Sequence, residues 1–439
     1  MSKLNASPLW IKKLILIPIF LIMILTVNAQ EKKETAEKPQ DKPVEKPVEL
    51  KLSGFIMNNM FYDTRKNVDA LDGMVLLFPL PADRDSAGND LNGVKSLSLL
   101  SFATRLKFNI TGPDAFGAKT SGFIEFDFTA RANAATVRFR QAWAKLTWTN
   151  TELLVGRAWH PMVSTDVVPS VMALSWGAPF QPFNRSDQVT LTQKVDKINV
   201  IISAILQNDY MNNGPSGKSC LYQNNAIVPN FDAQIKYKSD KAIFGLGGDF
   251  KRLRPRIYTV TKTGKKLETN AGINSDALFA YGQIKTGKLV INAKSILATN
   301  TSESLMAGAY GISSYDSITG HEEYTAYKHW FLWGNISYGE KLKISLFGGY
   351  LKNLGAGKNL VSPATKTSPP TVFGLGETIG EMIRVTPTVS YTSGKMTLAF
   401  EFENNIASYG TIDYADKGKI KHASNITGRR LLCTMYYYF

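Results

Sequence analysis

The feature that most constrains this chain is an alternation of period two that runs through most of it after Leu50. In "SFATRLKFNIT" the residues Phe102, Leu106, Phe108 and Ile110 are apolar, while Ser101, Arg105, Lys107, Asn109 and Thr111 are polar. Successive side chains of a strand point to opposite faces, so such a segment is a strand with one apolar and one wet face. After the turn "GPDAFG", the segment "SGFIEFDFT" sets Ile124, Phe126 and Phe128 against Glu125, Asp127 and Thr129. Farther on, Ile383, Val385, Val389 and Tyr391 oppose Arg384, Thr386, Thr388 and Ser390, and Met396, Leu398, Phe400 and Phe402 oppose Thr397, Glu401 and Glu403. Between them Ser393-Gly394 reads as a two-residue hairpin loop, and pairing Thr392 with Lys395 puts Arg384 directly opposite Glu403.

About sixteen such segments can be counted along the chain. Short connections ("GPDAFG", "VDK", "SDK", "GEK", "SG") alternate with long loops that read as polar, at 68–96, 163–187, 253–274 and 359–381. An even number of amphipathic strands with tight turns at one end and long loops at the other predicts an all-β fold, a transmembrane antiparallel barrel. A water-soluble β-sandwich is the alternative. Its loop lengths need not alternate, however, and aromatic residues here fall at strand ends as interfacial girdles would: Tyr62, Trp148, Trp159, Tyr210, Tyr237, Trp330, Tyr338 and Tyr391.

Both ends fit that expectation. In the closing "LLCTMYYYF", Phe439, Tyr437, Met435, Cys433 and Leu431 share one face, and Tyr438, Tyr436, Thr434 and Arg430 the other. This strand has to close the barrel against the first, because an open edge in lipid leaves backbone groups unpaired. Phe439 and Tyr437 on the lipid face resemble the carboxy-terminal signal read by the bacterial outer-membrane assembly machinery. At the amino end, Lys3, Lys12 and Lys13 precede an apolar run from Leu14 to Val27 and a small-residue site at Val27-Asn28-Ala29, which reads as a signal peptide over 1–29. A single membrane anchor is the alternative, but the run is short for a span and contains Pro18. Residues 30–49, rich in Pro, Lys and Glu, read as an extended periplasmic tether, with a coiled-coil or peptidoglycan-binding segment as the alternative; the barrel is expected over 50–439.

Charge then narrows the partners. Lys+Arg number 51 against 36 Asp+Glu, a formal +15. Such a balance suits nucleic acid, a membrane surface or anionic solutes, and export leaves nucleic acid without a role. Cys220 and Cys433, the two cysteines, form no disulfide framework and are expected to be free.

The stretch "SFATRLKFNITGPDAFGAKTSGFIEFDFTA" followed by "VRFRQAWAKLTWTNTELLVGRAWHPM" resembles strands two to five of the DcaP-like and related trimeric outer-membrane porins. Those carry basic lumen residues, an acidic third strand, an R-x-R-x-A-aromatic fourth strand and an L-L-x-G-x-x-W fifth strand. The resemblance implies sixteen strands per subunit, a homotrimer and an inward-folded third loop. Residues 163–187 would form that constriction loop, with Asp166, Trp176 and Arg185 on it, and Arg105, Lys107, Arg138 and Arg140 would line the pore. The alternation puts the same four residues on polar faces, together with Glu125, Asp127, Arg384 and Glu403. The alternative for each is a charge that only pairs with a neighbour such as Glu125 or Asp127. Arg157 is added to the pore list, although a one-residue change in the turn before it would turn it outward. Family members often begin with a helical coiled coil, which the proline-rich segment here cannot supply.

A basic lining favours anions, so the expected function is a porin of the outer membrane: passive diffusion of small anionic or polar solutes through a barrel seated in lipid. An outer-membrane hydrolase and a plugged structural or adhesin barrel are the alternatives. His160, His321, His329 and His422 do not sit in spacings that orient a nucleophile, "GLGGDF" and "GLGETIG" lack phosphate-loop spacing, and no Cys/His cluster suggests a metal. No enzyme activity, cofactor or metal is therefore expected.

Overall fold

The structure is a computed structural model that describes residues 47–131, 135–365 and 368–439. The expected signal peptide and the tether up to residue 46 lie outside the described residues. Sixteen antiparallel strands close into one barrel. They begin with β1 (Glu49–Asp63), β2 (Ser96–Leu100, resuming at Arg105–Thr111), β3 (Lys119–Arg131) and β4 (Ala135–Thr147). Next come β5 (Thr151–Trp159), β6 (Arg185–Val195), β7 (Ile198–Leu206) and β8 (Asn230–Lys238). The second half comprises β9 (Ala242–Leu253), β10 (Ile273–Thr286), β11 (Leu289–Thr299) and β12 (Glu322–Gly339), then β13 (Leu342–Ala356), β14 (Ile379–Ser393), β15 (Met396–Asp413) and β16 (Lys419–Tyr438).

The barrel closes where β16 runs along β1, from Phe55 opposite Tyr438 to Asp63 opposite Arg430. Gly54 and Phe439 extend the ladder by exchanging both backbone hydrogen bonds, at 3.3 and 3.2 Å. Only glycine fits there, since a Cβ on Gly54 would lie 2.2 Å from the Arg105 carbonyl oxygen and 2.8 Å from the Phe439 ring. Glu49 and Phe439 share one end with the short turns, among them 196–197, 287–288, 340–341 and 394–395. The long connections, such as 64–95, 160–184, 207–229 and 357–378, occupy the other end. In outer-membrane barrels the short-turn end is periplasmic.

Alternation decides what faces where. Outward residues are apolar and exposed: Leu246, Leu278, Ile344, Leu398 and Phe400 are 46–59 % accessible, as a lipid-facing wall requires. Tyr237, Tyr338, Tyr391 and Tyr437, 38–61 % accessible, ring the short-turn end as one aromatic girdle. Tyr210 was expected in a girdle too, but it is buried. The β14–β15 turn is Gly394-Lys395, not Ser393-Gly394: Ser393 faces Met396, and Arg384 faces Asn405. A slip of two residues keeps every side chain on its expected face, so Arg384 still reaches Glu403, diagonally, at 3.5 Å.

The loop after β1 is not polar throughout. Asn67–Ala70 and Val75–Pro79 pair as a hairpin, and Val75 to Phe78 are at most 2 % accessible. That hairpin and the connection 160–184 turn inward, and their apolar side chains join inward residues such as Phe61, Phe331, Trp333 and Phe347 in one buried cluster.

Candidate functional site

The interior is built from the inward faces of the strands and these two loops. On one wall Arg105, Glu125 and Asp127 stand side by side on β2 and β3, with Arg138 and Arg140 on β4. Glu125 faces Gln141 while Phe126 faces Phe139, so Arg140 is the extra residue of a bulge. Bulges re-aim side chains, and this one turns Arg140 and Gln141 inward together. Arg140 donates to Glu125 and to Asp127, both at 2.7 Å. Arg138 donates to Asp127 at 3.2 and 3.0 Å, Gln141 reaches Glu125 at 3.3 Å, and Arg105 lies 3.8 Å from Glu125. Lys107 and Arg105 sit 5.6 and 5.0 Å over the Phe55 ring. Three guanidinium groups thus meet two carboxylates in one network, in which Arg140 is 1 % and Arg138 17 % accessible.

Arg384 and Glu403 are buried to the same degree, each 1 % accessible. Arg384 donates to the Ala178 carbonyl at 2.7 Å, to the Leu76 and Leu77 carbonyls at 3.1 and 2.8 Å, and to the Asn405 side chain. One guanidinium therefore ties the hairpin to the 160–184 connection. Arg430 does similar work, with a bidentate bond to Asp63 at 2.8 and 2.7 Å and one to the Gly73 carbonyl at 2.6 Å. Glu401, two residues before Glu403 on β15, accepts the Met172 and Ala173 backbone N–H groups at 2.6 and 3.0 Å. Buried loop backbone must find partners, and here the far wall supplies them.

The connection expected at 163–187 runs from 160 to 184, so Arg185 already belongs to β6. It crosses the interior. Lys294 on β11 donates to the Met162 and Val163 carbonyls, Asn292 to Val168 at 2.8 Å, and Ser345 on β13 to Ser170 at 2.6 Å. Trp333 on β12 donates to Gln181 at 3.0 Å. Trp176 stacks on Trp159 at 4.9 Å, and Arg185, 2 % accessible, lies between the Trp159, Phe183 and Tyr210 rings and donates to the Tyr210 hydroxyl at 2.7 Å. Trp159, at the strand end, is consequently packed against the 160–184 connection and is not a girdle residue.

Asp166 faces a different environment. It accepts from Lys236 at 2.6 Å and Lys238 at 2.9 Å, both on β8. Nearby, Glu152 on β5 takes Lys194 of β6 at 2.6 Å and Lys145 of β4 at 3.8 Å. Two adjoining cavities follow this wall toward the periplasmic turns, of about 170 and about 430 Å³, with Thr192, Ile201 and Lys236 lining both. Lys194 and Lys236 fall on the polar faces of their strands, but nothing in the alternation distinguishes them from other inward charges.

Arg157 departs from the expected lumen position. It shares the outward face of Val155, and its opposite on β6, Asp187, shares that of Val189; Val155 is 48 % and Val189 38 % accessible. Arg157 lies 3.5 Å from Asp187 and donates to Asp209 at 2.8 Å. Phe439 and Tyr437 are on the outer wall at the periplasmic end, 37 and 43 % accessible.

Among the described residues, one group could hold a metal by proximity: His160, Asp232 and Asp249. Its chemistry argues otherwise. His160 Nδ1 accepts the Met162 N–H at 3.2 Å, which leaves the proton on Nε2, and Nε2 faces Asn230 Oδ1 at 3.0 Å and Asp249 at 3.5 Å. A ring nitrogen that carries a proton has no lone pair for a metal. Cys220 and Cys433 are free thiols.

No protein-family model matches the chain, and no curated protein does. Solved structures do. The outer-membrane channel DcaP of Acinetobacter baumannii superposes with a TM-score of 0.63 at 14 % identity, over 89 % of this chain and 97 % of that one. The trimer form of OmpT, an outer-membrane protein of Vibrio cholerae, gives 0.53 at 10 % identity, covering 90 % and 100 %. An anion-selective porin from Comamonas acidovorans gives 0.50 at 10 % identity, covering 90 % and 100 %. At these identities the likeness is one of fold: the chain has the barrel of bacterial outer-membrane channels.

Proposed function

We propose that the protein is a porin of the bacterial outer membrane that passes small hydrophilic solutes by diffusion and favours anions. The observation that carries this reading is a closed lipid-facing barrel whose interior is lined by charged side chains and crossed by an inward connection between β5 and β6. That connection is the constriction, and the surplus of basic over acidic groups on the inward faces supplies the anion preference. Phe439, seated against Gly54, is the residue recognised during assembly. The trimer form of the similarly folded OmpT supports a homotrimer, with the Arg157, Asp187 and Asp209 group at the loop end of β5 and β6 as a polar part of the subunit contact. No catalytic step, cofactor or metal enters this reading.

The filled apolar half of the interior favours a second reading, a plugged structural barrel. Planar-bilayer recording on purified protein separates the two. A porin gives spontaneous conductance steps with an anion-biased reversal potential in a salt gradient; a plugged barrel gives a silent membrane.

A further inference from the structure

Four lysines along this wall stand in two sets of the same make-up. Lys145 and Lys194 share Glu152, and Lys236 and Lys238 share Asp166. In each set two ammonium groups meet one carboxylate, so each keeps one surplus positive charge. An ammonium has three donors, and one spent on a carboxylate leaves two for a solute. Lys194, Lys236 and Lys238 all line the cavity of about 430 Å³, with Asn199 between Lys194 and Lys236 in the ladder and Thr192, Glu152, Asp196 and Lys197 also on its wall. Their side chains are 41, 17 and 49 % accessible, so solute can reach them.

Resting on the porin reading, we propose that this wall is a binding site for the oxyanion group of a small solute and that it, rather than the arginine network on β2 to β4, sets selectivity. Lys194, Lys236 and Lys238 supply the ammonium groups, and the Thr192 hydroxyl and Asn199 amide supply neutral donors. The cavity reaches the periplasmic turn at Asp196 and Lys197, so the site stands at that mouth. It continues past Lys236 into the narrower cavity bounded by Ser164, Thr165 and Tyr281, which offers hydroxyls but no further accessible cation. An anion entering from the constriction is thus drawn toward the lysine wall.

The test is bilayer recording of the full-length protein with inorganic phosphate as probe. Wild type is expected to conduct chloride, and phosphate added on the periplasmic side is expected to reduce that current. In the triple variant Lys194→Gln, Lys236→Gln, Lys238→Gln the block should disappear and the anion-over-cation permeability ratio should fall by about threefold or more. Lys238→Gln alone, at the most accessible of the three, should move both readings in the same direction and guards against loss of the triple variant to misfolding. A triple or single variant that keeps the wild-type ratio and the phosphate block overturns the site while leaving the porin reading intact. A wild type without conductance overturns the porin reading itself.

Discussion

Along β2 to β4 and β14 to β16, arginines face inward and are shut away: Arg140, Arg384 and Arg430 are 1–2 % accessible and held by carboxylates and loop carbonyls. Toward the periplasmic ends of β6 and β8 the inward cations are lysines, and Lys194 and Lys238 keep 41 and 49 % of their side chains in solvent. The difference follows from the two groups. A guanidinium is planar, weakly hydrated and presents five donors in a fixed fork, so it can satisfy several buried acceptors at once; an ammonium is a compact, strongly hydrated charge that loses much on burial. Where a loop covers it, positive charge serves as scaffold, Lys294 on β11 included, 1 % accessible with its ammonium on the Met162 and Val163 carbonyls; on the uncovered wall it is left for solute. Counting inward cations, as a sequence permits, merges these two uses.

The comparison breaks most sharply at Arg384. Replacing it with Met strands the Ala178, Leu76 and Leu77 carbonyls and leaves Glu403 as an uncompensated buried charge, a change expected to cost about 3–5 kcal/mol. Denaturant unfolding of the heat-modifiable barrel should shift accordingly, and conductance steps should become larger and noisier as the two loops loosen. An unaltered unfolding midpoint and step size would mean that the apolar packing alone holds the plug. Glu401→Gln is the milder form of the same test, because one of the Met172 and Ala173 N–H groups then faces an amide donor, at about 1–3 kcal/mol. It should appear as rapid flicker between open levels, and quiet wild-type steps would show that the Met172 turn is held elsewhere.

On the lysine side the stability cost should nearly vanish. Lys194→Gln is expected to change unfolding by less than about 1 kcal/mol, since its pair with Glu152 is solvent-exposed. A larger loss, measured by the same denaturant titration, would make Lys194 scaffold as well. Smallest in energy is the response to salt: screening shortens from about 10 Å at 0.1 M to about 3 Å at 1 M, so anion preference should decline over that range. Preference that holds constant to 1 M would point to a sealed, desolvated filter instead of an accessible wall.

Several features could be read from one strand at a time. Period two assigned the faces of β3, β14, β15 and β16, and the terminal Phe439 announced a strand that must close a barrel. The face of Arg384 survived a one-residue shift of its turn, because that slips the pairing by two and only an odd slip inverts a strand. The apolar run "GMVLLFP" was equally visible, but it lacks alternation and sits between strands, so it passed for part of a polar loop. Its companion "VVPSVMALSW" lacks alternation too, and only the resemblance to porins put it inside the barrel.

What the sequence by itself determined is thus the wall: its strands, their inward and outward faces, its closure and its basic interior, all of which depend on neighbours in the chain and on the uniform demand of lipid for satisfied backbone and apolar side chains. Only the tertiary structure decided which inward charges meet water. Arg384 meets carbonyls from residues 76, 77 and 178, a bulge turns Arg140 onto Glu125 and Asp127, and Arg157 lies on the outer wall against Asp187 and Asp209. These partners are set by where distant loops fill the lumen, and a charge that looks the same in the alternation becomes scaffold or binding site according to whether a loop covers it.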